Sequence, residues 1–471
     1  MCILYTINID IYALKIVMYM KKKLFALMGL CLWAATCCLA QPKHLQDTST
    51  IDGHPSWIMQ GNIYEVNVRQ YTPEGTFKAF AKHLERLKAM GVQTLWFMPI
   101  NPISVLDRKG VLGSYYAISN YTAINPEYGT LADWNALVKQ CHSMGFKVII
   151  DWVANHTGAD HYWLKNNPDF YVQDSITHKP LSPFDWTDAR KLNYSNPTLC
   201  DSMIACMSFW LKQSNIDGFR CDVASEVPAQ FWKKCIAKLK KKKPVFMLAE
   251  ADVPWIHEAG FDASYTWTDF AMMCKIAKGE RKASALDSTL NRVDTGFKPN
   301  ALRLFFTSNH DENSWNKADY GTMPGDIHAP FAVLTQTVKR SVSLFYSGQE
   351  EPFLDSLSFF YKDTISFGKY QRADFYKLLL NLRKENSALA SNAAMIRVKT
   401  KADDKVFAFI RQSQDKKVLV VLNLSKDKVN TTLQNALVAG EAKELFSNAT
   451  EKLKDGSKIS VKPWGYKVYV Y

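Results

Sequence analysis

Residues 130–156 read TLADWNALVKQCHSMGFKVIIDWVANH, and the fold can be read outward from them. Thr130 and Asp133 have the spacing of a capping pair, and Trp134, Leu137, Val138 and Cys141 fall on one helical face. Gly145 ends that helix, and a continuous apolar strand at 147–151 follows. An amphipathic helix feeding a strand that is apolar on both faces is the unit of a parallel sheet covered by helices.

The unit recurs along the chain. Residues 76–90 place Phe77, Phe80, Ala81, Leu84 and Leu87 at helical spacing, stop at Gly91 and lead into a buried strand at 94–97. Helices at 199–214 and 230–242 precede strands at 218–222 and 246–250, and further strands are expected at 62–67, 263–265, 302–307 and 343–346. Eight such units favour a closed (β/α)8 TIM barrel over 41–385, and no GxGxxG follows any strand to support a doubly wound sheet. The segment after the third strand, about 157–197, is rich in Asp, Asn, Pro and aromatics and too long for a structureless loop, so it reads as a small inserted subdomain. Beyond a helix at 371–384 the texture changes to short alternating runs at 406–410, 418–424, 442–446 and 467–471. This predicts a C-terminal antiparallel β-sandwich over 386–471.

With 471 residues, 47% hydrophobic and 22% charged, the chain is not a disordered one. Lys21, Lys22 and Lys23, the apolar run 24–35 and Cys38-Leu39-Ala40 make residues 1–40 a signal peptide, with Met18 or Met20 as a more ordinary start. The expectation is an exported protein, periplasmic or extracellular. Membrane anchoring is the alternative, although neither apolar piece reaches the roughly 20 residues that span a bilayer; lipidation would use Cys37 or Cys38. The formal charge of +13 raises the question of an anionic partner. Residues 1–40 hold four lysines and one aspartate, which leaves 54 basic against 44 acidic residues from totals of 58 and 45. The densest basic cluster, Lys238 with Lys240 to Lys243, closes a helix whose dipole favours cations there. No nucleic-acid partner is expected, and no protein partner is implied. Cys141, Cys200, Cys206, Cys221, Cys235 and Cys274 show no zinc-ligand spacing and should be mostly free and buried.

A βα barrel places its chemistry at the C-terminal ends of its strands. Four of those ends carry acids: Asp151 followed by Asn155-His156, Gly218-Phe219-Arg220-Cys221-Asp222, Leu248-Ala249-Glu250, and Asn309-His310-Asp311. Side chains at i and i+2 share one face of a strand, so Arg220 and Asp222 should face the barrel mouth and Cys221 the helical layer. The guanidinium would keep Asp222 ionised, as a nucleophile requires. Glu250 has no basic neighbour in sequence and follows an apolar strand, which suits a general acid. One charged and one protonated carboxyl is the requirement for retaining glycoside hydrolysis.

These segments, DxxxNH, GFRxD, a strand-ending Glu and NHD, resemble the conserved regions of the α-amylase superfamily of glycoside hydrolases, and the resemblance extends over essentially all of residues 41–471. It implies a glucan or maltooligosaccharide substrate cleaved at α-1,4 bonds, with Asp222 as nucleophile, Glu250 as acid/base and Asp311 as the third carboxylate. It further implies that Arg220 positions the nucleophile, that His156 and His310 contact the same sugar, and that Asp151 and Asn155 are structural. Tyr116, within Ser114-Tyr115-Tyr116-Ala117, takes the place of the aromatic beneath the sugar, with Tyr115 as the alternative. Lys191 stands where many α-amylases carry a calcium-binding aspartate, so no cofactor is required by this reading; Asn155 would be the ligand if calcium were bound. Lys191 also resembles the neopullulanase and cyclomaltodextrinase branch. The alternatives to a starch-type hydrolase are therefore an enzyme of that branch, a transglycosylating enzyme of the same mechanism, and a non-catalytic glucan-binding relative.

Overall fold

The structure is a computed structural model that describes residues 49–317, 321–351 and 355–471; the segment read as a signal peptide lies outside them. Eight parallel strands close into a barrel: β1 Asn62–Val66, β2 Thr94–Phe97, β3 Lys147–Trp152, β4 Gly218–Cys221, β5 Phe246–Ala249, β6 Ala263–Tyr265, β7 Leu302–Phe305 and β8 Ser341–Tyr346. Each strand is bonded to its neighbours in chain order, and β8 pairs with β1.

The two-residue period of the strands divides the core in two. Tyr64, Val66, Leu95, Phe97, Val148, Ile150, Phe219 and Cys221 point outward into one apolar cluster with the helices, among them Trp134, Met207 and Trp232. Ile63, Trp96, Ile149, Phe246, Leu248, Tyr265 and Leu304 inside the barrel belong to the second cluster, which also takes in helix residues such as Met273, Phe331 and Leu379. Gly218 sits on the inner side of β4 because nothing larger fits: a Cβ there would meet the Phe246 carbonyl oxygen at 2.1 Å.

The helix Leu131–Ser143 carries the full capping box, the Thr130 hydroxyl accepting from the Asp133 N–H and the Asp133 carboxylate accepting from Thr130. The helix expected at 76–90 is instead two, Phe77–Ala81 and Leu84–Met90. At their junction Lys82 N and His83 N bond three residues back rather than four, and the His83 ring turns onto Tyr71 and Phe367. Between β3 and the helix Pro197–Ser214, short strands His156–Gly158 and Ala189–Lys191 pair antiparallel and enclose the helix Tyr162–Asn166.

The C-terminal region is antiparallel, with strands β9 Ala394–Thr400, β10 Val406–Ser413, β11 Lys416–Asn423, β12 Val429–Gln434, β13 Gly440–Glu444, β14 Thr450–Leu453, β15 Lys458–Val461 and β16 Tyr466–Val470. They are bonded in one order, β14-β13-β16-β11-β10-β9-β12-β15. The sheet turns at β9, which pairs with β10 through Val398 and with β12 from Lys399. Val398, Ala408, Ile410, Leu419, Val421, Val429, Leu433 and Val461 pack together on the enclosed side. Phe407, Phe409, Val418 and Val420 join the barrel-side cluster, so this sheet is packed on the barrel. All six cysteines of the described residues are free; Cys141, Cys206, Cys221 and Cys235 are buried, and Cys200 and Cys274 are half-buried.

Candidate active site

Arg220, fully buried at the end of β4, organises the C-terminal mouth of the barrel. Its Nη1 donates to Asp151 Oδ1 at 3.0 Å and to Asp222 Oδ1 at 3.1 Å, and its Nε donates to the Tyr265 hydroxyl at 3.2 Å. Nη2 lies 3.0 Å from Glu250 Oε2 but is not aligned for a hydrogen bond. Arg220 and Asp222 thus share the inner side of β4, while Cys221 sits in the helical layer.

The distribution of charge differs from that inferred from sequence. Glu250 follows an apolar strand but is not isolated from positive charge, because β4 and β5 are neighbours and bring Arg220 to it. Asp222 is pushed well above the usual carboxylate range by burial and then by the Glu250 charge, with Arg220 pulling it back. Glu250 Oε2 also accepts the Val223 N–H at 2.7 Å. Val223 takes φ +33° to present that N–H, a left-handed conformation that a β-branched residue adopts only under constraint from its surroundings.

Asp151 is held between β2, β4 and the loop after β2: Trp96 Nε1 and the Tyr116 hydroxyl both donate to its Oδ2, at 3.2 and 3.1 Å. Tyr116 stacks on His310 at 5.5 Å and on Phe359 at 6.1 Å and lines the cavity. Tyr115, in contrast, packs under the Arg69 guanidinium at 4.1 Å, away from the cavity. His310 and Asp311 open a short helix, His310–Asn316, whose cap is Asn309: its side chain accepts the Glu312 N–H at 2.8 Å. His310 Nε2 lies 3.3 Å from Asp311 Oδ2, and Asp311 is the most open of the three acids. His156 is buried against Trp186, and burial drives its pKa down to about 3, so the ring is neutral.

Asp222, Glu250, Asp311, Tyr116, His156 and His310 all line one cavity of about 420 Å³, and Arg220 and Asp151 lie beneath it. Asn155 does not line it; its Nδ2 is 3.3 Å from His156 Nδ1. Sequence reasoning missed the aromatic residues of the lining, Trp186, Trp315, Phe359 and Phe360, because they stand on irregular loops and, for Trp315, on the short helix that Asn309 caps. It also missed Lys109, Asp185 and Asp188 at the rim, and Glu65, which the same alternation that placed Arg220 would have put inside β1.

Lys191 stands directly across the two-strand ladder from His156, and a cation there opposes a second one. Among the described residues no three Asp, Glu, His or Cys side chains gather as metal ligands.

The family model for the α-amylase catalytic domain matches residues 42–190 and 181–417, and that for the maltogenic amylase C-terminal domain matches 397–468. The α-amylase MalA of Haloarcula japonica is 27% identical over 413 residues, 82% of this chain and 59% of that protein. A cyclomaltodextrinase of Thermoanaerobacter pseudethanolicus is 24% identical over 419 residues, 83% of this chain and 70% of that protein. The chain thus spans less than two thirds of the haloarchaeal relative's length. Among solved structures, the noncanonic maltogenic α-amylase AmyB from Thermotoga neapolitana superposes with a TM-score of 0.81 at 27% identity, covering 88% of this chain and 99% of that one.

Proposed function

The chain belongs to the α-amylase family of glycoside hydrolases, and from that premise we propose that it cleaves α-1,4-glucosidic bonds of starch-derived glucans or maltooligosaccharides with retention of configuration. The observation that carries this is the single guanidinium of Arg220 in contact with Asp222 on one side and Glu250 on the other, at the floor of a cavity whose third acid is Asp311. One arginine touching both acids keeps them close together, as a nucleophile and an acid/base must be when no water stands between nucleophile and sugar.

Asp222 accepts an aligned bond from Arg220 and keeps its Oδ2 without a protein partner. That oxygen is the nucleophile for the anomeric carbon. Glu250 Oε2 is engaged by the Val223 N–H, so its proton sits on Oε1 and passes to the glycosidic oxygen as the bond breaks. A glycosyl ester forms on Asp222; Glu250, now ionised, takes a proton from water, which releases the sugar as the α-anomer. Asp311 holds hydroxyls of the distorted ring, His156 and His310 contact the same sugar, and Tyr116 stacks beneath it. Asp151 and Asn155 serve structure.

A second reading, action on cyclodextrins or pullulan or by transglycosylation through the same mechanism, draws on the maltogenic amylase C-terminal match and on Lys191. A non-catalytic glucan-binding role would need none of the three carboxylates. We further propose export directed by residues 1–40 and activity independent of calcium. The test is a product profile over starch, pullulan, cyclodextrin and maltotriose: rapid turnover of starch and maltotriose supports the first reading, preference for cyclodextrin or pullulan the second, and no turnover of any removes both.

A further inference from the structure

Glu65, fully buried at the end of β1, places its Oε1 2.5 Å from His310 Nδ1, while its Oε2 meets no partner. The hydrogen bonds around His310 determine how many protons the ring carries. Asp151, bonded to Arg220, can only accept as a carboxylate, so the Tyr116 hydroxyl spends its one proton on Asp151 Oδ2. The Tyr116 oxygen, 2.7 Å from His310 Nε2, must then accept, and Nε2 bears hydrogen. Nδ1 faces a carboxylate and bears hydrogen as well. A ring with both nitrogens protonated is a cation.

We propose that Glu65 is a positioning residue that holds His310 as an imidazolium, and through it orients the Tyr116 hydroxyl. The inference rests on the reading of the site given above. It links Glu65 to the nucleophile through one chain, Glu65 to His310 to Tyr116 to Asp151 to Arg220 to Asp222.

The groups that face His310 agree. Burial alone would lower its pKa and Arg220 adds to that, but the charges of Asp311 and Glu65 and the bond to Glu65 outweigh them and lift it to about 9. Burial raises Glu65 too, with His310 and Arg220 pulling it back. Of the two homes for the shared proton the imidazole is favoured, because Asp311 adds a second acid on its far side at 3.3 Å. The remaining neighbours, Trp96 and Phe359, are uncharged.

Glu65→Gln keeps the shape and removes the charge. The alkaline limb of its kcat/KM profile on a maltooligosaccharide should move down by about 1 to 3 pH units, with activity near pH 5.5 much closer to that of the unaltered enzyme. A parallel loss at every pH would overturn the proposal, since that is what a merely structural role gives. Because the variant could fold poorly, the unaltered protein provides a second measurement: ¹⁵N NMR of labelled histidines at pH 7.5, with His310 assigned by difference against His310→Asn. Two protonated ring nitrogens are expected; a neutral ring would overturn the proposal. If no glucan were turned over at all, the proposed function would fall while the NMR result would still decide the state of His310.

Discussion

Arg220 donates to Asp222 at 3.1 Å from two positions earlier on the same strand, and the same nitrogen donates to Asp151 on the neighbouring strand at 3.0 Å. A buried guanidinium with carboxylates on two sides fixes where the negative charge of the mouth resides and how the Asp222 oxygens point. Replacing Arg220 by Lys should therefore not be conservative. A single ammonium cannot span Asp151, Asp222 and Glu250, and breaking a buried pair typically costs about 3 to 5 kcal/mol. Thermal unfolding of Arg220→Lys should show a large loss of Tm together with a loss of activity, and a variant of unchanged Tm would contradict this account of Arg220.

Asp222→Ala should lower kcat on maltooligosaccharides by more than about 10⁴-fold, as expected when a nucleophile is removed. The fold should survive, because Arg220 keeps Asp151 and the Tyr265 hydroxyl. Circular dichroism and rate measurements on the same sample check both halves; appreciable turnover in the variant would remove Asp222 from its assigned role.

The placement of this arginine and its acids was legible in the sequence for a specific reason. Strand alternation fixes Arg220 and Asp222 on one face, and β order brings Asp151 and Glu250 alongside. What sequence order could not show was the distance across strands: Glu250 looked isolated from charge and has Arg220 at 3.0 Å. Glu65 is likewise unremarkable within Asn62–Val66 until its partner, 245 residues later, is known. Of the aromatic walls, Trp186, Phe359 and Phe360 lie on loops without periodicity and Trp315 on the short helix after Asn309, and β9, β12, β14 and β15 were missed because strands such as Thr450–Leu453 are short, polar and largely exposed.

Stability should be greatest near neutral pH. Burial lowers His156, His161 and His257 to about 3 and holds His328 well below its ordinary value, so they are neutral in the folded protein but protonate in the unfolded chain below about 6.5. The unfolded state then binds more protons, and stability falls with falling pH by up to about 1.4 kcal/mol per unit for each histidine. His310 has the opposite sign: raised to about 9, its contribution is fully present below about 6.5 and is lost as pH rises through 9. Tm measured from pH 4 to 10 should fall on both sides of neutrality, steeply on the acid side; a Tm flat from 6.5 to 4.5 would contradict the buried neutral histidines.

Chelator treatment should leave Tm and activity nearly unchanged under the proposed independence of calcium, Lys191 standing opposite His156 in the place where the resemblance to α-amylases would put an acidic ligand. A large loss restored by added calcium would overturn that reading.

The central claim is that Asp222 forms the glycosyl ester while Glu250 shuttles the proton. The most direct measurement is peptide-level mass spectrometry after reaction with a 5-fluoro-α-glucosyl or α-maltosyl fluoride, which slows release of the covalent intermediate. The account predicts an adduct of one glycosyl unit on Asp222, absent in Asp222→Ala. An adduct on another residue, or fluoride release with the β-anomer as first product and no adduct, would contradict it.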